Sequence, residues 1–100
     1  MNIGDVKTIG VLGLGVMGGG ISQTAIVAGY KVIARDLKDE ILTRAKENII
    51  SGRFGLKGAV ERGKITPAQL EAAVANLHMT TKVEDLANCD VVIEAIGGGP

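Results

Sequence analysis

A glycine-rich turn between an apolar segment and a helix constrains the fold of this sequence more than any other feature. The turn is Gly13-x-Gly15-x-x-Gly18, and it follows the apolar run 9–12. A helical segment and a second apolar run come next, and the second run ends at the acid Asp36. This order of strand, turn, helix, strand and acid is typical of the first β-α-β unit of a dinucleotide-binding fold.

Each position of the turn has a physical role in such a fold. Gly13 permits the tight turn out of the strand, Gly15 lets the backbone approach a pyrophosphate, and Gly18 lets the helix pack close to the strand. The backbone N–H groups around Val16 and Met17 lack partners in the first helical turn, and they favour a bound anion. The alternative is a turn that serves packing alone, because two further glycines follow the motif.

Asp36 and Arg35 bear on which dinucleotide binds. A carboxylate at the end of the second strand accepts hydrogen bonds from the adenosine ribose and repels a 2′-phosphate, so Asp36 favours NAD. Arg35 leaves NADP open, because a neighbouring guanidinium can accommodate that phosphate.

Composition excludes several classes of function. The chain has 100 residues, enough for one small domain or part of a larger one, and 46% of them are hydrophobic. Eleven acidic side chains balance eleven basic ones, and Tyr30 and Phe54 are the only aromatic residues, so we expect no nucleic-acid partner. Cys89 is the single cysteine, which suits a reducing, cytoplasmic setting. We expect no signal peptide and no membrane span.

Periodicity and turn residues predict an α/β fold with a Rossmann-type parallel sheet in the order 3-2-1-4. The predicted strands are 8–12, 31–34, 78–81 and 91–96, and the predicted helices are 17–28, 38–62 and 67–75, with a short helical turn at 83–86. The apolar face of the first helix is predicted to be Ile21, Thr24, Ala25 and Ala28. That of the second helix is predicted to be Ile41, Leu42, Ala45, Ile49 and Ile50.

The second and third helices are predicted to form a protruding hairpin. Gly63 ends the second helix, and Thr66 caps the third through a capping box. Gly52, Gly55 and Gly58 lie inside the second helix, where they favour a kink; the alternative is a smooth face that another backbone or a bulky ligand approaches. We expect residues 1–96 to form a partial domain with an incomplete second half, and residues 97–100 to be a flexible tail of an engineered or truncated chain.

Several segments together resemble the 3-hydroxyacyl-CoA dehydrogenases, including the 3-hydroxybutyryl-CoA enzymes of bacteria. The resemblance runs over residues 7–96. It rests on GLGVMG at 13–18, GISQ at 20–23, AGYKV at 28–32 with Arg35-Asp36, ERGKIT at 61–66 and NCDVVIEA at 88–95. The GLGxMG segment alone is also similar to 3-hydroxyisobutyrate and 6-phosphogluconate dehydrogenases, and the former stays an alternative.

The resemblance implies hydride transfer between NAD and the C3 carbon of an acyl-CoA, in an enzyme that forms a homo-oligomer. It implies these cofactor-binding residues: Gly13, Leu14, Gly15, Val16, Met17, Gly18, Asp36, Leu37, Ala95 and Ile96. The hairpin cations available to the phosphates of CoA are Arg53, Lys57 and Lys64.

The sequence departs from the family after the fourth strand. Gly97 and Gly98 stand where the family has a Glu-Asn pair, and the catalytic histidine of the family lies beyond residue 100. We therefore assign no catalytic residue and no metal ligand, and neither His78 nor Glu94 is expected to act as the base. The isolated chain is expected to be inactive. A free-standing NAD-binding or scaffold module is the alternative.

Overall fold

The computed structural model describes residues 3–95, which form one parallel sheet covered mainly by helices. The strands are β1 (Thr8–Leu12), β2 (Lys31–Arg35), β3 (Leu77–Thr80) and β4 (Val91–Glu94). The helices are α1 (Val16–Val27), α2 (Asp39–Ser51), α3 (Leu56–Glu61) and α4 (Pro67–Ala75), with short 3-10 helices at Ile3–Asp5 and Val83–Leu86. The strand order β3-β2-β1-β4 confirms the predicted sheet.

The core lies between the two central strands and the helices. Val11, Val32 and Ala34 are completely buried, because the strands that carry them have a neighbour on both sides. Ile26 of α1 and Ile49 of α2 are among the largest side chains packed into the same cluster. Ala45 and Ile49 are buried and the other members of the predicted α2 stripe are half-buried, which confirms that stripe.

The predicted apolar face of α1 is wrong in part. Its buried residues are Gly18, Ser22, Ala25 and Ile26, whereas Thr24 and Ala28 are exposed. Because Gly18 has to lie against the end of β1, helical spacing then directs the residues four and seven positions later to the sheet. Ser22 tolerates burial because its hydroxyl donates a hydrogen bond of 2.7 Å to the Gly18 carbonyl.

The single helix predicted over residues 38–62 is also wrong. The structure has two helices, because α2 ends at Ser51 and α3 begins at Leu56. A side chain at Gly52 would overlap the Asn48 carbonyl oxygen, and one at Gly55 would lie 2.8 Å from the Ile49 carbonyl oxygen. At these two glycines the chain packs closely against the last turn of α2. The predicted kink is therefore a complete interruption between two helices.

Predicted helix ends and caps agree with the structure elsewhere. Gly29 and Gly63 have positive φ angles of 100° and 72° and lie two residues after the ends of α1 and α3, as expected for helix-ending glycines. The capping box of α4 is present: the Thr66 hydroxyl accepts from the Gln69 N–H at 3.1 Å, and the Gln69 side chain accepts from the Thr66 N–H at 2.8 Å. The helical hairpin is therefore built from α2, α3 and α4.

The last two strands differ slightly from their predicted ranges. β3 begins and ends one residue earlier than expected, and β4 ends at Glu94. The predicted final strand residue, Ile96, and the predicted tail at 97–100 lie outside the described residues.

Asp90 fastens the beginnings of β1 and β4 together. One carboxylate oxygen accepts from the Lys7 N–H at 2.9 Å and from the Thr8 N–H at 3.0 Å. The Asp90 N–H donates in turn to the Thr8 carbonyl at 2.9 Å. The hydrogen bonds from Lys7 and Thr8 favour the charged carboxylate and lower the pKa of Asp90 from its ordinary 3.8.

Cys89 is half-buried just before β4, as the sequence predicts. A side chain on Gly10 would lie 3.1 Å from the Cys89 sulfur and 3.0 Å from Leu86, so these residues cover the middle of β1 closely. Burial, and then the neighbouring Asp90 carboxylate, raise the pKa of the Cys89 thiol. Cys89 therefore favours the protonated, less reactive form.

Candidate dinucleotide-binding site

The glycine-rich turn has the geometry that its sequence predicts. Gly13 has a φ angle of 99°, a conformation that L side chains rarely adopt. Its N–H donates to the Arg35 carbonyl at 2.8 Å, which keeps the turn beside the end of β2. A side chain on Gly18 would overlap the Gly13 carbonyl oxygen, so close packing of helix and turn requires glycine at this position.

The outer surface of the turn is open. Gly15 precedes the first residue of α1, and a side-chain carbon added to it would meet no protein atom within 4 Å. Its φ angle of −72° is available to any residue, so neither packing nor backbone strain requires glycine here. Val16 is 99% exposed and Met17 is 59% exposed, so the first turn of α1 faces open space. An anionic ligand can therefore approach its free N–H groups.

Asp36 connects the end of β2 to the glycine-rich turn. One carboxylate oxygen accepts from the Leu14 N–H at 2.7 Å, and the other accepts from the Leu37 N–H at 2.6 Å. Each carboxylate oxygen has a further lone pair, so Asp36 can still accept hydrogen bonds from a diol such as ribose. The structure thus brings the predicted acid and the predicted turn into direct contact.

Arg35 is the last residue of β2, and a hydrogen bond holds its side chain in place. Its Nε donates a hydrogen bond of 3.0 Å to the Thr81 carbonyl, and the side chain is partly buried. The guanidinium is therefore fastened to the segment after β3.

Two further predicted cofactor residues, Leu37 and Ala95, lie at the same edge of the sheet. Leu37 is 69% exposed next to Asp36. Ala95 is half-buried, and its N–H donates to the Leu12 carbonyl at 2.7 Å, so it continues the pairing of β4 with β1. Ile96 lies outside the described residues.

Sequence reasoning missed the contribution of α2 to this site. A pocket of about 250 Å³ lies between the glycine-rich turn and α2. Its lining includes Gly15 and Gly19 from one side and Arg44 and Asn48 from the other. The available signal was the polar pair Arg44 and Asn48, spaced four residues apart and therefore on one side of the helix.

The predicted CoA cations do not share this pocket. Arg53 lies in the bend between α2 and α3, with its guanidinium carbon 5.5 Å from the centre of the exposed Phe54 ring. The Gln23 amide of α1 donates to the Phe54 carbonyl at 2.8 Å and fastens the bend to α1. Lys57 lines a separate groove of about 320 Å³ between α3 and α4. Lys64 is exposed between the same helices.

His78 and Glu94 are both exposed on strands of the sheet. Within residues 3–95, no cluster of three or more His, Cys, Asp or Glu side chains could hold a metal ion. In the same part of the chain, no helix has both the length and the apolar character needed to cross a membrane.

A family model for the NAD-binding domain of 3-hydroxyacyl-CoA dehydrogenase matches residues 8–98. The chain belongs to this family. A probable 3-hydroxybutyryl-CoA dehydrogenase of Deinococcus radiodurans is 44% identical over 87 residues, which are 87% of this chain and 30% of that protein. The fatty acid oxidation complex subunit alpha of Pseudomonas putida is 36% identical over 96 residues, which are 96% of this chain and 13% of that protein.

Solved structures of the family superpose on this NAD-binding domain. The (S)-3-hydroxybutyryl-CoA dehydrogenase of Ralstonia eutropha has a TM-score of 0.88 at 30% identity, over 96% of this chain and 33% of that one. The 3-hydroxybutyryl-CoA dehydrogenase of Escherichia coli has a TM-score of 0.84 at 38% identity, over 90% of this chain and 18% of that one. The chain thus spans a third or less of the length of these relatives.

Proposed function

We propose that this chain forms the cofactor half of an NAD-dependent 3-hydroxyacyl-CoA dehydrogenase, in which NAD binds across the glycine-rich turn. The observation that carries the proposal is the 2.7 Å hydrogen bond from the Leu14 N–H to the Asp36 carboxylate. This hydrogen bond supports the proposal because it holds a carboxylate, which can accept hydrogen bonds from a ribose, beside an open helix N-terminus that suits a pyrophosphate. The resemblance to named 3-hydroxybutyryl-CoA dehydrogenases supports the substrate class.

In this proposal, each group of the chain at the edge of the sheet has its own role. The N–H groups of Val16 and Met17 face the pyrophosphate, and Asp36 holds the ribose through hydrogen bonds. Leu37 and Ala95 flank the same edge of the sheet, and Ile96 follows Ala95 in the sequence. Bound NAD supplies the hydride acceptor for the C3 carbon of the acyl-CoA. Because we assign no general base to residues 3–95, we expect the 100-residue chain alone not to turn over acetoacetyl-CoA with NADH.

The proposal favours NAD over NADP. A carboxylate at the ribose site repels a 2′-phosphate, and Asp36 is fixed there by two backbone N–H groups. Arg35, the residue that left NADP open, is held to the Thr81 carbonyl through its Nε.

The proposal extends to the CoA moiety and to the assembly. Arg53 and Lys57 are exposed cations on the helical hairpin, and they are our candidates for the phosphates of an acyl-CoA. We also propose a homo-oligomer in the cytoplasm. The resemblance to the 3-hydroxyacyl-CoA dehydrogenases supports the homo-oligomer. Because Cys89 is the single cysteine, the sequence has no pair for an intrachain disulfide, which supports a reducing compartment.

Calorimetric titration with NAD and with NADP tests the proposal. We expect the chain to bind NAD more tightly than NADP, and Asp36→Ala to weaken NAD binding and reduce the difference between the two. Asp39→Ala is the matched control, because Asp39 is an exposed carboxylate only three residues away, in the first turn of α2. NAD binding that is unchanged in Asp36→Ala, or no NAD binding by the unmodified chain, would contradict the proposal.

A further inference from the structure

The pocket between the glycine-rich turn and α2 has two chemically different parts. Leu14, Ile41 and Ala45 contribute apolar surface, while Arg44 and Asn48 contribute a cation and an amide. Gly15 and Val16 also line it, so the pocket is continuous with the surface assigned above to the pyrophosphate. A ligand held at the turn therefore has one side facing Arg44.

Gly19 has no role within the protein that requires glycine. It lies in the first half of α1, where glycine is less favourable than alanine, and a side-chain carbon added there would meet nothing within 4 Å. Gly18 is the opposite case, because its neighbour is the Gly13 carbonyl. The space next to Gly19 opens into the pocket that Arg44 lines.

Arg44 is the source of positive charge among the described residues that line this pocket. The lining from the turn consists of glycine backbone and the apolar residues Leu14 and Val16, and Arg44 is the one charged residue of the pocket. Guanidinium groups bind phosphate oxygens through paired hydrogen bonds, and Asn48 offers an amide donor one helical turn away. A cation on α2 thus faces the N-terminus of α1 across a space of about 250 Å³.

We propose that Arg44 and Asn48 of α2 form a diphosphate subsite with the glycine-rich turn, which holds the diphosphate of an adenine nucleotide. The inference rests on the proposed function and adds two ligand-binding residues of α2 to it. NAD and CoA both carry a diphosphate attached to adenosine, and the proposed function gives the glycine-rich turn to NAD, so CoA serves as the comparison ligand. We assign Arg44 and Asn48 to ligand binding and not to the chemical step.

Calorimetric titration of the 100-residue chain with NAD and, separately, with CoA tests the subsite. We expect Arg44→Ala to weaken NAD binding by about tenfold, the effect of losing one charge-assisted hydrogen bond. Arg44→Lys should restore part of the affinity because it keeps the charge. Lys46→Ala is the matched control, since Lys46 is an exposed cation on the same helix, two residues away and outside the pocket.

The pattern of loss identifies the source of the diphosphate. An effect on NAD, with or without an effect on CoA, supports the subsite. An effect on CoA alone would overturn it, because the proposed function has NAD at the glycine-rich turn. If NAD binds and Arg44→Ala equals Lys46→Ala for both ligands, the subsite is overturned while the proposed function stands. If the unmodified chain binds neither ligand, both are overturned.

A second pair of variants separates ligand contact from folding. Gly19→Ala and Gly20→Ala both add a methyl group to α1 where no protein atom lies within 4 Å. Both should raise the thermal unfolding midpoint, because alanine favours the helix. Only Gly19→Ala should weaken ligand binding, since Gly20 lines a different groove. Equal binding by the two variants would contradict the subsite.

Discussion

The glycine-rich turn and the bend between α2 and α3 use the same residue type for opposite purposes. At the turn, a side chain on Gly15 would meet open space, so the absence of a side chain leaves room for something outside the protein. At the bend, side chains on Gly52 and Gly55 would meet the backbone of Asn48 and Ile49. The comparison teaches that glycine spacing alone does not separate a ligand surface from a self-contact.

Two aspartates repeat this contrast at opposite ends of the sheet. Asp36 and Asp90 each accept hydrogen bonds from two backbone N–H groups. The partners of Asp90 are Lys7 and Thr8 at the start of β1, so this aspartate joins two strands. One partner of Asp36 is Leu14 in the open turn, so the same kind of contact presents a carboxylate beside the surface that we propose binds NAD.

The largest expected effect comes from Gly18, the glycine of the turn that packs against the protein's own backbone. Gly18→Ala should lower the free energy of unfolding by about 3 kcal/mol, because the new methyl group overlaps the Gly13 carbonyl oxygen. Gly20→Ala is the matched control, and it should raise the same quantity by about 0.5–1 kcal/mol. Urea unfolding followed by circular dichroism measures both. Equal stability of the two variants would contradict the assignment of Gly18 to packing.

A smaller effect is expected within the hairpin. Gly52→Ala should cost about 2 kcal/mol, because its methyl group meets the backbone of Asn48, which cannot move without disturbing α2. The methyl group of Gly58→Ala comes close only to the end of the flexible Arg62 side chain, and the Arg53 carbonyl oxygen at 3.8 Å is in ordinary contact. Gly58→Ala should therefore be neutral or stabilise α3 by about 0.5 kcal/mol. Thermal unfolding of the two variants checks this difference. If Gly52→Ala is tolerated as well as Gly58→Ala, the bend is not a self-contact.

The smallest effect concerns Asp90 and depends on pH. Its pKa is lowered in the folded protein, so the stabilising contribution is fully present above the ordinary value of 3.8 and is lost as the pH falls through the folded pKa. Asp90→Asn should therefore be less stable than the unmodified chain at pH 7, and the difference should shrink in acid. Urea unfolding at pH 7 and pH 3 measures it. A difference that stays constant with pH would show that the charge of Asp90 contributes nothing.

Much of the fold could be predicted because local signals agree with one another. The bounds of β1, the start and end of α4 and the strand order follow from apolar runs, a capping box and right-handed connections. The buried face of α1 could not be predicted from hydrophobicity, because Ser22 and Gly18 are buried while Thr24 and Ala28 are exposed. Contact with the turn, and not side-chain polarity, decides that face.

The same limit applies to the site. The glycine-rich turn and Asp36 each follow directly after an apolar run that predicts a strand, so the sequence predicts both. The structure brings the two together. Arg44 lies eight residues beyond Asp36 on a helix whose orientation depends on tertiary packing. The sequence shows a surface arginine there, and only the packing of α2 beside α1 places it next to Gly15.

The most direct measurement compares Gly15→Ala with the unmodified chain in both NAD titration and urea unfolding. The account predicts much weaker NAD binding with a change in unfolding free energy below about 1 kcal/mol, because the methyl group occupies ligand space and touches no protein atom. NAD binding equal to that of the unmodified chain would contradict the central claim that the glycine-rich turn faces a ligand.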